Sequence, residues 1–143
     1  MGWTHYWERD NDLPADAFAK AVTDCRLILA AADVRLAGPH SEGEPVFSRD
    51  EIAFNGVERQ ACEPFCIRTS EQPRRPGRPI LSYCKTEHLP YDLCVKCALI
   101  ILKHHLGDSM KVASDASDPD WDDARNLCQV CLGYGANFRL TRE

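Results

Sequence analysis

A chain of 143 residues that is 44% hydrophobic and 27% charged has the composition of a globular protein with one buried core, and excludes a disordered or fibrous one. A formal net charge of −5 and a pI near 5.5 give no general attraction for nucleic acid or an anionic membrane. Residues 3–8 lack the apolar core of a leader, and the longest apolar run, residues 97–102, falls far short of the roughly 18 residues a span needs. The expectation is a cytoplasmic protein whose eight cysteines are mostly reduced.

In chain order, residues 2–9 are aromatic and β-prone and predict a first strand, broken by Asn11, Asp12 and Pro14. Phe18, Val22, Cys25, Leu29 and Ala32 mark one face of a helix over 14–32. Residues 34–36 predict a short strand and 38–44 a loop. Ile52 and Phe54 ahead of Asn55-Gly56 predict a strand entering a two-residue hairpin turn, which needs φ > 0 twice. Residues 62–68 predict another strand, followed by an Arg- and Pro-rich loop to Arg78.

The run from Ile80 to Thr86 predicts a strand feeding a central helix over 90–106. Pro90 suits a first helical position, and Asp92 falls in the first turn near the positive end of the helix dipole. Apolar residues fill most of its faces, Lys103, His104 and His105 lie in its last turn, and Gly107 ends it. Residues 110–113 predict a strand. Asp118 as N-cap with Pro119 behind it opens a last helix. That helix carries a stripe of Trp121, Ala124, Cys128 and Cys131, and a second of Leu127, Val130 and Tyr134. The whole reads as a single α+β domain over 1–143: a mostly antiparallel sheet of about five strands with three helices in one layer on it.

Two Cys-x-x-Cys pairs, Cys94/Cys97 and Cys128/Cys131, have the donor spacing of a four-thiolate zinc site. The stretch between the pairs, residues 98–127, is longer than the roughly 15–20 residues usual for such sites, and both pairs lie on apolar helical stripes. Core packing is the favoured reading, so no cofactor is assigned, and zinc on those four cysteines is the alternative. Cys62 and Cys66 on a predicted strand also read as core.

Certain short motifs occur in order: Met1-Gly2-Trp3-Thr4-His5-Tyr6-Trp7, Phe54-Asn55-Gly56, Cys62-Glu63-Pro64-Phe65, Cys84-Lys85-Thr86, Pro90-Tyr91-Asp92, and Ser114-Asp115 before Trp121. With them the chain, from residue 1 to about 130, resembles a family of small uncharacterised proteins of bacteriophages, prophages and bacteria. The resemblance implies a phage-type accessory protein and brings no activity with it. The paired cysteines depart from the pattern of that family.

The polar members of these motifs are His5, Tyr6, Asn55, Glu63, Lys85, Thr86, Asp92, Ser114 and Asp115. Most fall at predicted strand ends, where functional groups are commonly mounted on a rigid scaffold. Brought together, His5, Glu63, Lys85 and Asp92 would make a candidate acid–base or ligand-binding site. Taken singly, Asp92 caps a helix, Asn55 serves a turn, and Lys85 pairs with Glu63 across strands. No known nucleophile motif is present. Arg74, Arg75 and Arg78 could touch phosphates, but their loop has no aromatic residue for base stacking. The acidic run over 114–123 lacks the Gly and Glu of a calcium loop and reads as helix capping. The first expectation is therefore a non-enzymatic interaction module with a protein or other macromolecular partner. A small enzyme or ligand-binding protein is the second, and a zinc-stabilised module the third.

Overall fold

The computed structural model of the protein describes residues 3–141. The fold is α+β, with three α-helices and seven strands in two antiparallel sheets among the described residues. The strands are β1 (Thr4–Arg9), β2 (Leu36–Ala37), β3 (Val46–Phe47), β4 (Glu51–Gly56), β5 (Phe65–Arg68), β6 (Ile80–Lys85) and β7 (Met110–Ser114). The helices are α1 (Ala15–Ala31), α2 (Asp92–Leu106) and α3 (Asp122–Leu132). The expected single sheet of about five strands is thus two sheets, one ordered β6-β1-β7 and one in which β2, β3 and β5 all pair with β4. The difference has a local cause. Strands β2 and β3 are two residues each and carry almost no periodic signal.

Alternation decides the faces of β1. His5, Trp7 and Arg9 point inward and are buried, while Thr4, Tyr6 and Glu8 lie on the outer face. Helix α2 is buried along most of its length, including Val95, Leu99, Ile100 and Leu102, because α1, α3 and β7 all pack against it. Its neighbour α1 turns Phe18, Ala21, Val22, Cys25 and Ile28 inward, so Ile28 takes the place expected for Leu29. Rings link the two sheets: Trp7 stands 5.0 Å from Phe65, and Phe65 5.3 Å from Phe54.

Several expected boundaries move for physical reasons. Asn55-Gly56 does not turn a hairpin. Both residues remain in β4, paired with Ala37 and Leu36. The Asn55 side chain satisfies the backbone there, accepting from the Gly56 and Cys62 amides and donating to the carbonyls of Cys62 and Pro39. Helix α2 starts at Asp92, two residues after Pro90, with the Asp92 amide bonded to the Leu89 carbonyl. At the last helix the N-cap is Ser117, not Asp118. The Ser117 hydroxyl and amide both bond to the Asp120 carboxylate, and a 3-10 turn over Asp118–Trp121 leads into α3. Of the second stripe expected on α3, Val130 faces out, 84% exposed, while Leu127 and Tyr134 are half-buried against the core. Residue 2 of the expected first strand, and the Met1-Gly2 start of the opening motif, lie outside the described residues.

Candidate functional site

Alternation on β1 points His5 into the interior, and the first turn of α2 brings Asp92 up beneath it. His5 has no exposed surface, and its Nε2 lies 2.6 Å from Asp92 Oδ1. The same carboxylate oxygen accepts the Thr86 hydroxyl at 2.6 Å. An ionised carboxylate only accepts, so the proton in the His5–Asp92 bond is on Nε2. The other ring nitrogen, Nδ1, meets Ser114 Oγ at 2.7 Å. One helical turn along α2, Lys96 reaches Asp92 Oδ2 at 3.2 Å, Asp123 Oδ1 at 2.8 Å and the Asp120 carbonyl at 2.8 Å. The Trp121 ring stands edge-on to His5 at 5.0 Å, and the Lys96 ammonium sits 5.1 Å over the Trp3 ring. Burial opposes ionisation of Asp92, but the His5 hydrogen bond, the Thr86 hydroxyl and Lys96 outweigh it. They hold its carboxyl below the usual carboxylate range.

Ser114, His5 and Asp92 thus form a relay of the kind that activates a serine hydroxyl. The Ala116 amide donates to Ser114 Oγ, and the Asp115 amide donates to the Thr4 carbonyl. Neither backbone donor is left to stabilise an oxyanion beside Ser114. With His5 enclosed, the network acts as a clamp joining β1, β7, the end of β6, α2 and α3.

The expected polar set therefore divides. His5, Thr86, Asp92 and Ser114 come together, whereas Asp115 is exposed and joins through its amide alone. Glu63 and Lys85 meet elsewhere, and through the backbone. The Glu63 amide donates to the Lys85 carbonyl at 3.0 Å, and Glu63 Oε1 accepts from the Lys85 amide at 2.7 Å. The Lys85 ammonium pairs instead with Glu87 at 2.9 Å on the surface. The four-residue site of His5, Glu63, Lys85 and Asp92 does not assemble, because Lys85 and His5 lie on opposite faces of the sheet. Tyr6 lies on the outer face opposite Tyr83, and Asn55 is occupied in its own loop. Sequence reasoning missed Lys96 and Asp123. The signal for Lys96 was present: a single cation set four residues after Asp92 within an apolar helix.

The cysteines are core and surface residues. Cys25, Cys84, Cys94, Cys97 and Cys128 are buried, while Cys66 and Cys131 are exposed. Burial, reinforced by Asp92, pushes the Cys94 thiol up to about 12. Of the four cysteines of the alternative zinc site, Cys94, Cys97 and Cys128 are buried and Cys131 is exposed. Among the described residues no group of three or more His, Cys, Asp or Glu side chains is placed to hold a metal ion.

A groove lies on the outside, between β5 and β6. Glu63 of the β5 lead-in meets Lys85 at one end, while at the other end Arg9 donates to the carbonyls of Arg68 and Thr69. The two strands therefore run antiparallel, tied at both ends and unpaired between. The groove so formed has a volume of about 760 Å³. Trp7, Cys66 and residues 80–83 line it, and the connecting loop with Arg74, Arg75 and Arg78 walls its mouth. All three arginines are exposed, and among the described residues none has an ion-pair partner. The two carboxylates of the groove are engaged: Glu63 on the Lys85 amide, and Glu71 on Arg9 at 2.8 Å and on the Arg68 amide at 2.9 Å.

No helix among the described residues is long and apolar enough to cross a membrane. Comparison with known proteins finds no matching family model, no matching curated protein and no matching solved structure.

Proposed function

We propose that the protein is a non-enzymatic interaction module of phage type, whose macromolecular partner docks on the groove between β5 and β6. The observation that carries this reading is the groove itself: three arginines with no ion-pair partner among the described residues, beside the exposed apolar side chains of Leu81 and Tyr83, 67% and 57% exposed. Exposed aromatic and arginine side chains are the residue types that dominate binding energy at protein interfaces. The enclosed His5 supports the same reading, since its ring is out of reach of any substrate.

The test is site-specific photo-crosslinking. A photoreactive phenylalanine analogue at Tyr83 is expected to give a discrete adduct with one partner in the native cell. The same analogue at Val130, on the exposed face of α3, is expected to give none. Equal adducts from both positions, or none from position 83, would overturn the reading.

A second reading rests on the Ser114–His5–Asp92 relay. An enzyme using it would have to uncover His5, for instance by moving the segment that carries Trp121. Labelling of Ser114 by a fluorophosphonate probe would be the sign of it.

A further inference from the structure

We propose that the occupant of the groove is an acidic segment in extended conformation, which adds as a strand to the free edge of β6. This rests on the interaction reading above and names the chemistry of the partner.

The backbone pattern supplies the first argument. The Lys85 amide and carbonyl point away from β1, toward Glu63, while the Thr86 amide points back to the Trp3 carbonyl. In a strand, successive residues direct their backbone groups to opposite edges. Leu81 and Tyr83 therefore present N–H and C=O to the groove, as Lys85 does, but without a partner among the described residues. The opposite wall repeats this. The Thr69 amide turns to the Asp50 carbonyl on the β4 side and the Arg68 amide turns outward to Glu71, so Cys66 shares the outward register of Arg68. Both walls of the groove thus carry open strand edges. Such an edge is a template for an added strand, and proteins that do not use it blunt it with charge, proline or a covering segment. Here Pro79 and Lys85 flank the edge, while its middle, Leu81 to Tyr83, is open.

Charge supplies the second argument. The protein carries a net charge of −5, yet the mouth of this groove holds three arginines with no ion-pair partner among the described residues, and its own carboxylates are occupied by Arg9 and by backbone amides. Guanidinium groups bind carboxylates in a planar, two-point geometry. An extended chain places alternate side chains on one face, so alternate acidic residues would meet the arginine loop while the residues between them face Leu81 and Tyr83.

The test uses a capped fluorescent peptide of alternating Glu and Val, titrated into the intact protein and followed by anisotropy and by amide exchange. The expected result is one-to-one binding with slowed exchange at the Leu81 and Tyr83 amides. Charge reversal by R74E/R75E/R78E should weaken binding at least tenfold. The same peptide N-methylated at every internal residue keeps its charges but loses its donors. It too should bind at least tenfold more weakly, and it leaves the protein unaltered should the triple variant fold poorly. Equal binding of the N-methylated peptide would overturn strand addition, and equal binding of the Lys-Val analogue would overturn the acidic preference. Tighter binding of an oligo-dT strand than of the peptide would overturn the proposal in favour of nucleic acid. No binding of the Glu-Val peptide overturns it as well. In each of these cases a crosslinked adduct from position 83 would leave the broader interaction reading standing.

Discussion

His5 and Asp92 are 87 residues apart in sequence and 2.6 Å apart in space, in a buried hydrogen bond that joins the central strand of one sheet to the first turn of the central helix. Asp92 also answers Thr86 and Lys96, so one carboxylate satisfies three buried polar groups at once. Its removal leaves His5 Nε2 and the Thr86 hydroxyl without their carboxylate partner, while Lys96 keeps Asp123 and the Asp120 carbonyl.

Asp92→Ala is therefore expected to cost about 3–5 kcal/mol, the range for breaking one partner out of a buried charged network. Urea unfolding followed by tryptophan fluorescence measures this directly. Lys85→Ala, which removes only an exposed pair with Glu87, should leave the midpoint unchanged. Equal losses from the two substitutions would show that the buried network is not a stability determinant.

The same group sets a pH dependence. The carboxyl of Asp92 has a lower pKa in the folded protein than in the unfolded chain, where it lies at about 3.9. Its contribution is full above the unfolded value and is lost as pH falls toward the folded one. The stability gap between the native protein and Asp92→Asn should thus be widest near neutrality and narrow on acidification. Denaturation midpoints of both proteins across the acid range test this. A gap that stays constant with pH, or widens in acid, contradicts the assignment.

Thiol accessibility should follow burial. Iodoacetamide at mildly alkaline pH is expected to alkylate Cys66 and Cys131 first and Cys62 more slowly. Cys25, Cys84, Cys94, Cys97 and Cys128 should react only after unfolding. Burial both screens them and, for Cys25, Cys84 and Cys94, suppresses the thiolate, while for Cys97 the hydrogen bond with Cys128 does so together with burial. Peptide mapping gives the order, and early modification of Cys97 or Cys128 would contradict the packing of α3 on α2.

Gly56 tests the end of β4. A Cβ there would stand 1.9 Å from the Gln60 carbonyl oxygen and 3.1 Å from the Tyr91 ring. Since the nearest obstacle is backbone, Gly56→Ala should destabilise by about 1–3 kcal/mol, the usual scale of overpacking. Gly77→Ala, in open space at positive φ, should lose only the backbone cost of a left-handed residue, about 1–2 kcal/mol. Thermal melts of the two variants rank them.

Half of the candidate site was legible in the sequence, and the reasons are local. Alternation in β1 and the first-turn position of Asp92 fix where those side chains point. Lys96 was absent from the expected set because a cation within an apolar helix reads as surface until its partners are known, and Asp123 lies 27 residues further on. Glu63 and Lys85 were expected to meet and do, but through main-chain groups that no side-chain pattern encodes. The hairpin expected at Asn55-Gly56 fails for a tertiary reason, because the Asn55 amide group is claimed by Cys62 and Pro39. The fold class follows from periodicity. The division into two sheets depends instead on which strands meet, and β1 pairs with β6 and β7, both distant in sequence.

That pairing has a consequence for synthesis. Among the described residues the strand at the middle of the three-stranded sheet precedes every other element, and its two neighbours end at Lys85 and Ser114. During translation β1 must wait, with Trp3, Tyr6 and Trp7 lacking their final neighbours, until residues 80–114 have left the ribosome. The nascent protein therefore carries an unpaired aromatic strand until β6 and β7 emerge, the kind of exposed edge that holding chaperones bind.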